Sequence, residues 1–370
     1  MQNTGSLSSR AQRGTFPVAS KAPRFARGDS RDSPDFVVLT GFLGSGKTTL
    51  LRDFLGHREG ADTAVIVNEV GEIGLDGAIL RESGAGTPIA MLSNGCICCQ
   101  AGSDLSHTID ALLAVDRPGA EGPLRRIILE TSGLSKPGPV LRQLASLAEH
   151  RMRVSVVATY DATRGMQPAA FEEAAAQWAA AHRIVVTKAD LLPEGAHARA
   201  RSEVAVLNPL AEIVAASSRE ESITAAFAPL VNRAVMPLVL PAAATAPHPR
   251  ISVRLARPAA VLAYDDLAAW LDNLAGALGE RLLRLKGLVR VAESPRPVLV
   301  QSVGTSFAAP RPFGAPDSDA PLFFVVIARD LEDGELEAVQ PVGLFALSSW
   351  SEPVTAVRAG SLQSAVVEWM

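Results

Sequence analysis

FVVLTGFLGSGKTTL, residues Phe36–Leu50, sets four apolar residues and a Thr directly before Gly41, Gly44 and Gly46, and ends in Lys47, Thr48 and Thr49. An apolar run, a Gly-x-x-x-x-Gly-Lys-Thr turn and the start of a helical stretch form the phosphate-binding-loop signature. Glycines admit backbone conformations that side chains forbid, so successive N–H groups converge on phosphate oxygens at a helix N-terminus. The candidate phosphate-binding residues are therefore Gly41, Gly44, Ser45, Gly46, Lys47, Thr48 and Thr49. Lys47 is placed to meet the β- and γ-phosphates and Thr48 to hold Mg²⁺, which makes both candidate catalytic residues.

Working outward, short apolar runs alternate with helical segments, the pattern of βαβ units around a mostly parallel, doubly wound sheet. Strands are expected at Phe36–Thr40, Thr63–Asn68, Ile127–Glu130, Val154–Asp161, Ile184–Thr187 and Glu212–Ala215. Helices are expected at Thr48–Leu55, Asp104–Val115, Val140–His150, Phe171–Ala181 and Ala198–Leu207. This α/β domain covers residues 36–236, after a Ser-, Arg-, Gly- and Pro-rich tail over 1–35. The tail lacks a continuous apolar segment and reads as disordered, with an organelle transit peptide as the lesser alternative. PLVLPAAATAPHPR, residues 237–250, reads as a linker because Pro removes backbone donors. A smaller α+β domain follows over 251–345. It has a strand at Ile251–Ala256, a helix at Asp265–Leu278 and strands at Leu282–Val291, Pro297–Ser306 and Leu322–Ala328, and residues 346–370 form a tail.

Two further loops close apolar strands. TKAD, Thr187–Asp190, stands where a phosphate-loop GTPase carries Asn-Lys-x-Asp. There the Asp190 carboxylate would accept two hydrogen bonds from guanine and the Lys188 stem would lie along the base. A solvated helix start is the plainer reading of those four residues. ETSG, Glu130–Gly133, supplies an acid for the Mg²⁺ shell, Glu130, which joins Lys47 and Thr48 as a catalytic candidate, and a glycine, Gly133, able to approach the γ-phosphate, against an ordinary strand-ending turn. Ala215–Ser218 could add backbone contacts to the base.

The second chemical feature is NGCICCQ, which holds all three cysteines of the chain, Cys96, Cys98 and Cys99. Thiolates suit Zn²⁺ and Cu(I), and three of them leave a tetrahedral ion one ligand short, which favours transfer over storage. Core packing of the thiols is the alternative. In NEVGEIGLD, Asn68–Asp76, the acids Glu69 and Glu72 could complete the metal shell or lie exposed on a loop.

Composition bounds the partners. At 370 residues, 48% hydrophobic and 20% charged, the chain is long enough for about two folded domains. A net charge of -4 with no basic run argues against nucleic acid. No window approaches a membrane span. Cysteines confined to one short stretch exclude a disulfide framework and fit the reducing cytoplasm.

The motifs GFLGSGKTTL, NEVGEIGLD, NGCICC, ETSGLSKP, TKADLL and LNP, in that order, with RLLRLKGLV and VLVQSVG beyond them, resemble the CobW-like GTPases of metal insertion and homeostasis. The likeness spans about Phe36 to Ala328 and extends to the nickel-insertion and urease-accessory GTPases. It implies a phosphate-loop GTPase with Mg²⁺, a metal on the cysteine motif, and delivery of zinc or cobalt to a client metalloenzyme, with a homo-oligomer possible. Thr187 in place of Asn, Lys136 in place of an acid, and the lack of a His-rich tract depart from the family pattern. The competing readings are a non-catalytic metal-binding regulator stabilised by nucleotide, and an ATP-dependent small-molecule kinase or ligase on the same fold.

Overall fold

The computed structural model describes residues 34–68, 87–92, 103–115, 122–145, 152–193, 195–216, 218–230, 248–315, 322–341 and 343–349. In its first half, β1 (Asp35–Gly41) leads into α1 (Lys47–Leu55), followed by β2 (Thr63–Asn68), β3 (Ile89–Leu92) and α2 (Ser103–Ala114). Next come β4 (Arg126–Thr131), α3 (Pro137–Ala145), β5 (Arg153–Asp161), α4 (Glu172–Ala180) and β6 (Arg183–Thr187). The half closes with α5 (Ala196–Leu207), β7 (Glu212–Val214) and α6 (Arg219–Phe227). The strands pair in the order β3-β2-β4-β1-β5-β6-β7, and every pairing is parallel.

Side chains alternate across this sheet, as the two-residue period of a strand requires. Val37 and Leu39 of β1, with Val65, Val67 and Val157, bury against Leu51 and Phe54 of α1 and Phe227 of α6. Phe36 and Val38 face the other way, toward Ile109 of α2, Val140 of α3, Trp178 of α4 and Val204 of α5. Both faces are thus covered, which explains the near-continuous apolar runs in the central strands. The expected strands are present. The sequence reading passed over β3 and α6, because β3 is a four-residue, only partly buried edge strand and α6 opens on the polar run REES.

The second half forms a mostly antiparallel sheet from β8 (Ile251–Pro258), β9 (Leu282–Val289), β10 (Val298–Val303), β11 (Ser306–Phe307), β12 (Arg311–Pro312), β13 (Phe323–Arg329) and β14 (Phe345–Ser349). Its order is β11-β10-β9-β13-β8-β14, with β12 on β10. The single strand expected over Pro297–Ser306 is a hairpin instead. Val303 pairs with Ser306 across Gly304, whose φ of 55° suits the first turn position. Most of β14 lies in the stretch read as the start of the tail. Residues 237–247 of the expected linker lie outside the described residues.

Alternation along β13 divides the second sheet between two cores. Phe324 and Val326 meet Trp270 of α7 (Tyr264–Leu278), where the rings of Trp270, Phe324 and Phe345 cluster with centroids 4.2–5.7 Å apart. Phe323, Val325 and Ile327 point into the core that holds α4 and α5. The two sheets therefore share apolar residues on the far side of α4.

Polar bonds fix that seam at the end of α4, where helical carbonyls lack partners. Asn208 Nδ2 donates to Trp178 O, Ala179 O and Ala181 O at 2.8–3.0 Å. From β9, the buried Arg284 donates to Ala180 O at 2.6 Å. Burial lowers its guanidinium to about 10, so it stays protonated at neutral pH and complements the negative end of the helix. The Asn of the LNP motif is thus a helix cap. Asn208→Ala is expected to lower stability by about 3 kcal/mol, since buried carbonyls lose their donors, while the KM for GTP stays within about twofold. Urea unfolding beside steady-state kinetics tests this, and a loss under about 1 kcal/mol would refute the cap.

Candidate phosphate-binding site

Strand order reverses around β1, which sits between β4 and β5 while its helix connects to β2 on one side only. Open α/β sheets bind ligands at such a crevice, beyond the carboxyl ends of the strands. Here the crevice receives Gly41–Gly46 from β1, Glu130–Gly133 from β4, Asp161–Arg164 from β5 and Thr187–Asp190 from β6.

The loop after β1 is built for close backbone approach. Gly44 and Gly46 have φ of 71° and 91°, left-handed values that favour glycine. At Gly41 a Cβ would stand 2.0 Å from Thr159 Oγ1, so the first glycine is fixed by packing against β5. Thr159 Oγ1 in turn shares a 2.6 Å hydrogen bond with Ser45 Oγ.

Each carbonyl of the loop has a donor. Gly41 O accepts from Lys47 Nζ at 3.0 Å, Phe42 O from Ser45 N at 3.1 Å and Gly46 O from Leu50 N at 2.9 Å. The remaining three are held from neighbouring strands: Leu43 O by Arg164 at 3.0 Å, Gly44 O by Lys188 Nζ at 2.7 Å and Ser45 O by Thr187 Oγ1 at 2.8 Å. Since N–H and C=O of a trans peptide point in opposite directions, holding Leu43 O and Ser45 O turns the amides of Gly44 and Gly46 away from those donors. The amides then face the hollow of the loop, at the start of α1, and no acid occupies the first turn of that helix. These features fit an anionic phosphate chain.

The cation side is equally defined. Thr48 Oγ1 donates to Glu130 Oε1 at 2.6 Å, and Glu130 is 3% exposed at the end of β4. A hydroxyl beside a carboxylate is an oxygen-only donor set, suited to Mg²⁺. Thr49 is exposed on the outer side of the first turn.

Gly133 packs against the phosphate loop itself. A Cβ there would lie 2.7 Å from Leu43 Cδ2 and 2.8 Å from Leu43 N. The loop around it is suspended from α4, where the fully buried Gln177 Nε2 donates to Gly133 O and Ser135 O, both at 3.0 Å. Just before α4, Phe171 stacks on Phe42 with centroids 5.0 Å apart. Lys136, the residue that departs from the acid of the family pattern, pairs with Glu172 in the first turn of α4, and Glu172 also pairs with Arg329 of β13. The loop after β4 and the second sheet therefore meet on one carboxylate.

In the loop after β6, Thr187 spends its hydroxyl on Ser45 O and Tyr160 O, anchoring the phosphate loop. Lys188 has a φ of 57° and bridges Gly44 O and Asp161 Oδ2, both at 2.7 Å. Asp190 is exposed in the short turn that follows, with no hydrogen bond or ion pair among the described residues. Asp161 is 3% exposed. Burial pushes its carboxyl up, but hydrogen bonds from Lys188 and Thr163 outweigh that and leave it below the usual carboxylate range.

Gly41, Gly44, Ser45, Gly46, Lys47, Thr48, Glu130, Gly133 and Lys188 thus converge on one crevice. Glu69, Glu72, Cys96, Cys98 and Cys99 lie outside the described residues, as does Ser217 of the expected base contact. Among the described residues no cluster of His, Cys, Asp or Glu could hold a metal ion, and no helix is long and apolar enough to cross a membrane. Sequence reasoning missed Thr159, Asp161, Arg164 and Gln177. The one local signal was DATR ending an apolar strand, an Asp whose side chain can cap its own turn.

The chain matches two family descriptions. They are CobW/HypB/UreG, nucleotide-binding domain, over residues 35–215, and the cobalamin synthesis protein cobW C-terminal domain over 251–339. It is 31% identical over 310 residues to the zinc chaperone CobW of Pseudomonas aeruginosa, covering 73% of this chain and 80% of that one. Against the zinc chaperone YjiA of Escherichia coli the identity is 29% over 315 residues, covering 80% and 95%. A crystal structure of the Zn(II)-bound YjiA GTPase from E. coli superposes with a TM-score of 0.56 at 23% identity, over 83% of this chain and 98% of that one, a likeness of fold. With the phosphate loop, the order of its motifs and both halves of the chain matched, this protein belongs to the CobW/HypB/UreG family of phosphate-loop GTPases and carries the CobW C-terminal domain.

Proposed function

We propose that this chain is a GTP-hydrolysing metallochaperone that takes zinc, with cobalt second, on Cys96, Cys98 and Cys99 and passes it to a client metalloenzyme in the cytoplasm. The relatives named as zinc chaperones support the choice of metal. One observation carries the coupling of the two sites. Strands β2 and β3 run parallel to β1 and β4, so Asn68 and Leu92 end on the same sheet edge as Gly41 and Glu130. Glu69 follows Asn68 directly and Cys96 comes four residues after Leu92, within about 14 Å of it by chain length. Both segments that carry thiophilic-metal candidates therefore start beside the phosphate crevice.

In this reading the amides of Gly44 and Gly46 and the Lys47 ammonium hold the phosphates, while Asp190 reads guanine and the Lys188 stem supports the base. Thr48 and Glu130 would hold Mg²⁺, which neutralises phosphate charge when bound. Gly133, in contact with Leu43, senses whether the γ-phosphate is present and passes the state to its loop. Glu69 or Glu72 completes the zinc shell in the GTP state, and loss of the γ-phosphate loosens that shell so that the metal leaves. Hydrolysis is slow until the client is engaged, as expected when a site is completed by a partner.

Two outcomes follow. Gly133→Ala puts a methyl 2.7–3.0 Å from Leu43, so kcat for GTP is expected to fall at least about tenfold with KM within about threefold, in single- and multiple-turnover assays; an unchanged kcat would remove Gly133 from the mechanism. Metal analysis under reducing conditions should find about one zinc per chain, with retention strengthened by a non-hydrolysable GTP analogue and lost in Cys98→Ala. Linkage requires zinc to change the affinity for the analogue by the same factor, and an affinity indifferent to zinc would defeat the coupling.

A further inference from the structure

We propose that Asp161 is a positioning residue for nucleotide binding, acting through Arg164 and Lys188 to set the peptide planes of the phosphate loop. This inference rests on reading Gly41–Thr48 as the phosphate cradle.

The carboxylate is divided between two tasks. Its Oδ1 accepts from Thr163 N at 3.0 Å and Thr163 Oγ1 at 2.6 Å, which closes the turn 161–164 and fixes the ring of atoms that aims Oδ2. That Oδ2 takes Lys188 Nζ at 2.7 Å and faces Arg164 Nε at 3.9 Å. The two cations do not stop at Asp161. Lys188 continues to Gly44 O and Arg164 to Leu43 O, so one buried carboxylate orients donors on two successive carbonyls of the loop. Nothing else described holds those two carbonyls.

The arrangement has a functional sense that plain structural support lacks. Lys188 belongs to the loop proposed to read the base, and Gly44 to the loop proposed to hold the phosphates, so Asp161 stands where the two halves of the nucleotide site are joined. Arg164 is 48% exposed, and its guanidinium lies beside Gly44, 3.5 Å from where a Cβ would stand, an ordinary contact distance. A side chain so exposed contributes little to the core. Its remaining role is at the loop. Fixing these planes before nucleotide arrives strengthens binding in the ground and transition states alike, which appears in KM and not in kcat.

The test uses the full-length chain, with GTP hydrolysis kinetics and displacement of a fluorescent GDP. Asp161→Asn is expected to raise both the KM for GTP and the Kd for GDP about ten- to a hundredfold, the range for charged hydrogen bonds, with kcat within about threefold. Arg164→Ala should raise them about three- to tenfold at an unchanged melting temperature, and it keeps the test open if Asp161→Asn does not fold. In the double variant the Arg164 change should add less than about twofold, because its anchor is already gone. KM and Kd within about twofold of the parent in Arg164→Ala, or full additivity in the double variant, would overturn the proposal. Lys47→Ala separates the two readings. If it too leaves GDP affinity intact, the phosphate cradle itself is misread; if it abolishes binding while the Asp161 and Arg164 variants are silent, only the positioning role falls.

Discussion

A short run of backbone can bind a polyanion only if its own carbonyls are turned aside and satisfied, because each peptide carries a donor and an acceptor that cannot both face the ligand. In this protein that demand is met from four directions. Lys47 and α1 serve the ends of Gly41–Gly46, while β5 and β6 send Arg164, Lys188 and Thr187 across to the middle. The strand order that places β5 and β6 beside β1 is thus a requirement of the loop as well as a consequence of the fold.

The same economy governs the loop after β4. Gly133 can press against Leu43 because it has no side chain, and Gln177 holds the loop in place by two of its carbonyls. Helix α4 is therefore more than a cover for the sheet. Phe171 just before it and Glu172 in its first turn stand at the site, its middle carries Gln177 and Trp178, and its last carbonyls take Asn208 and Arg284.

Much of this was legible from residue order alone. The apolar run before Gly41 and the Lys-Thr after Gly46 placed β1 and α1 to within a residue or two, since glycine spacing and strand length constrain each other. The acid at Glu130 was readable because it closes an apolar strand, and the structure pairs it with Thr48. What stayed hidden depends on contacts between distant segments. Thr187 looked like a weakened Asn, yet its hydroxyl reaches Ser45 O, 142 positions away in the chain. Asn208 looked like part of a family signature and is a helix cap. Arg164 and Gln177 carry no local pattern at all. β3 escaped because a four-residue edge strand buries too little to leave an apolar imprint.

The placement of α4 between the sheets also bears on how such a protein could be divided or recombined. Phe323, Val325 and Ile327 of β13 close the same apolar core as Trp178 and Val204, and Arg284 and Arg329 reach across to the two ends of the helix. Cut between its halves, the chain would keep Asn208 on the last carbonyls of α4 but lose Arg284 from that end and Arg329 from the other, and the apolar face that meets β13 would turn to water. The nucleotide half shares its core with the second sheet, so moving that half alone would carry an exposed apolar face along with it.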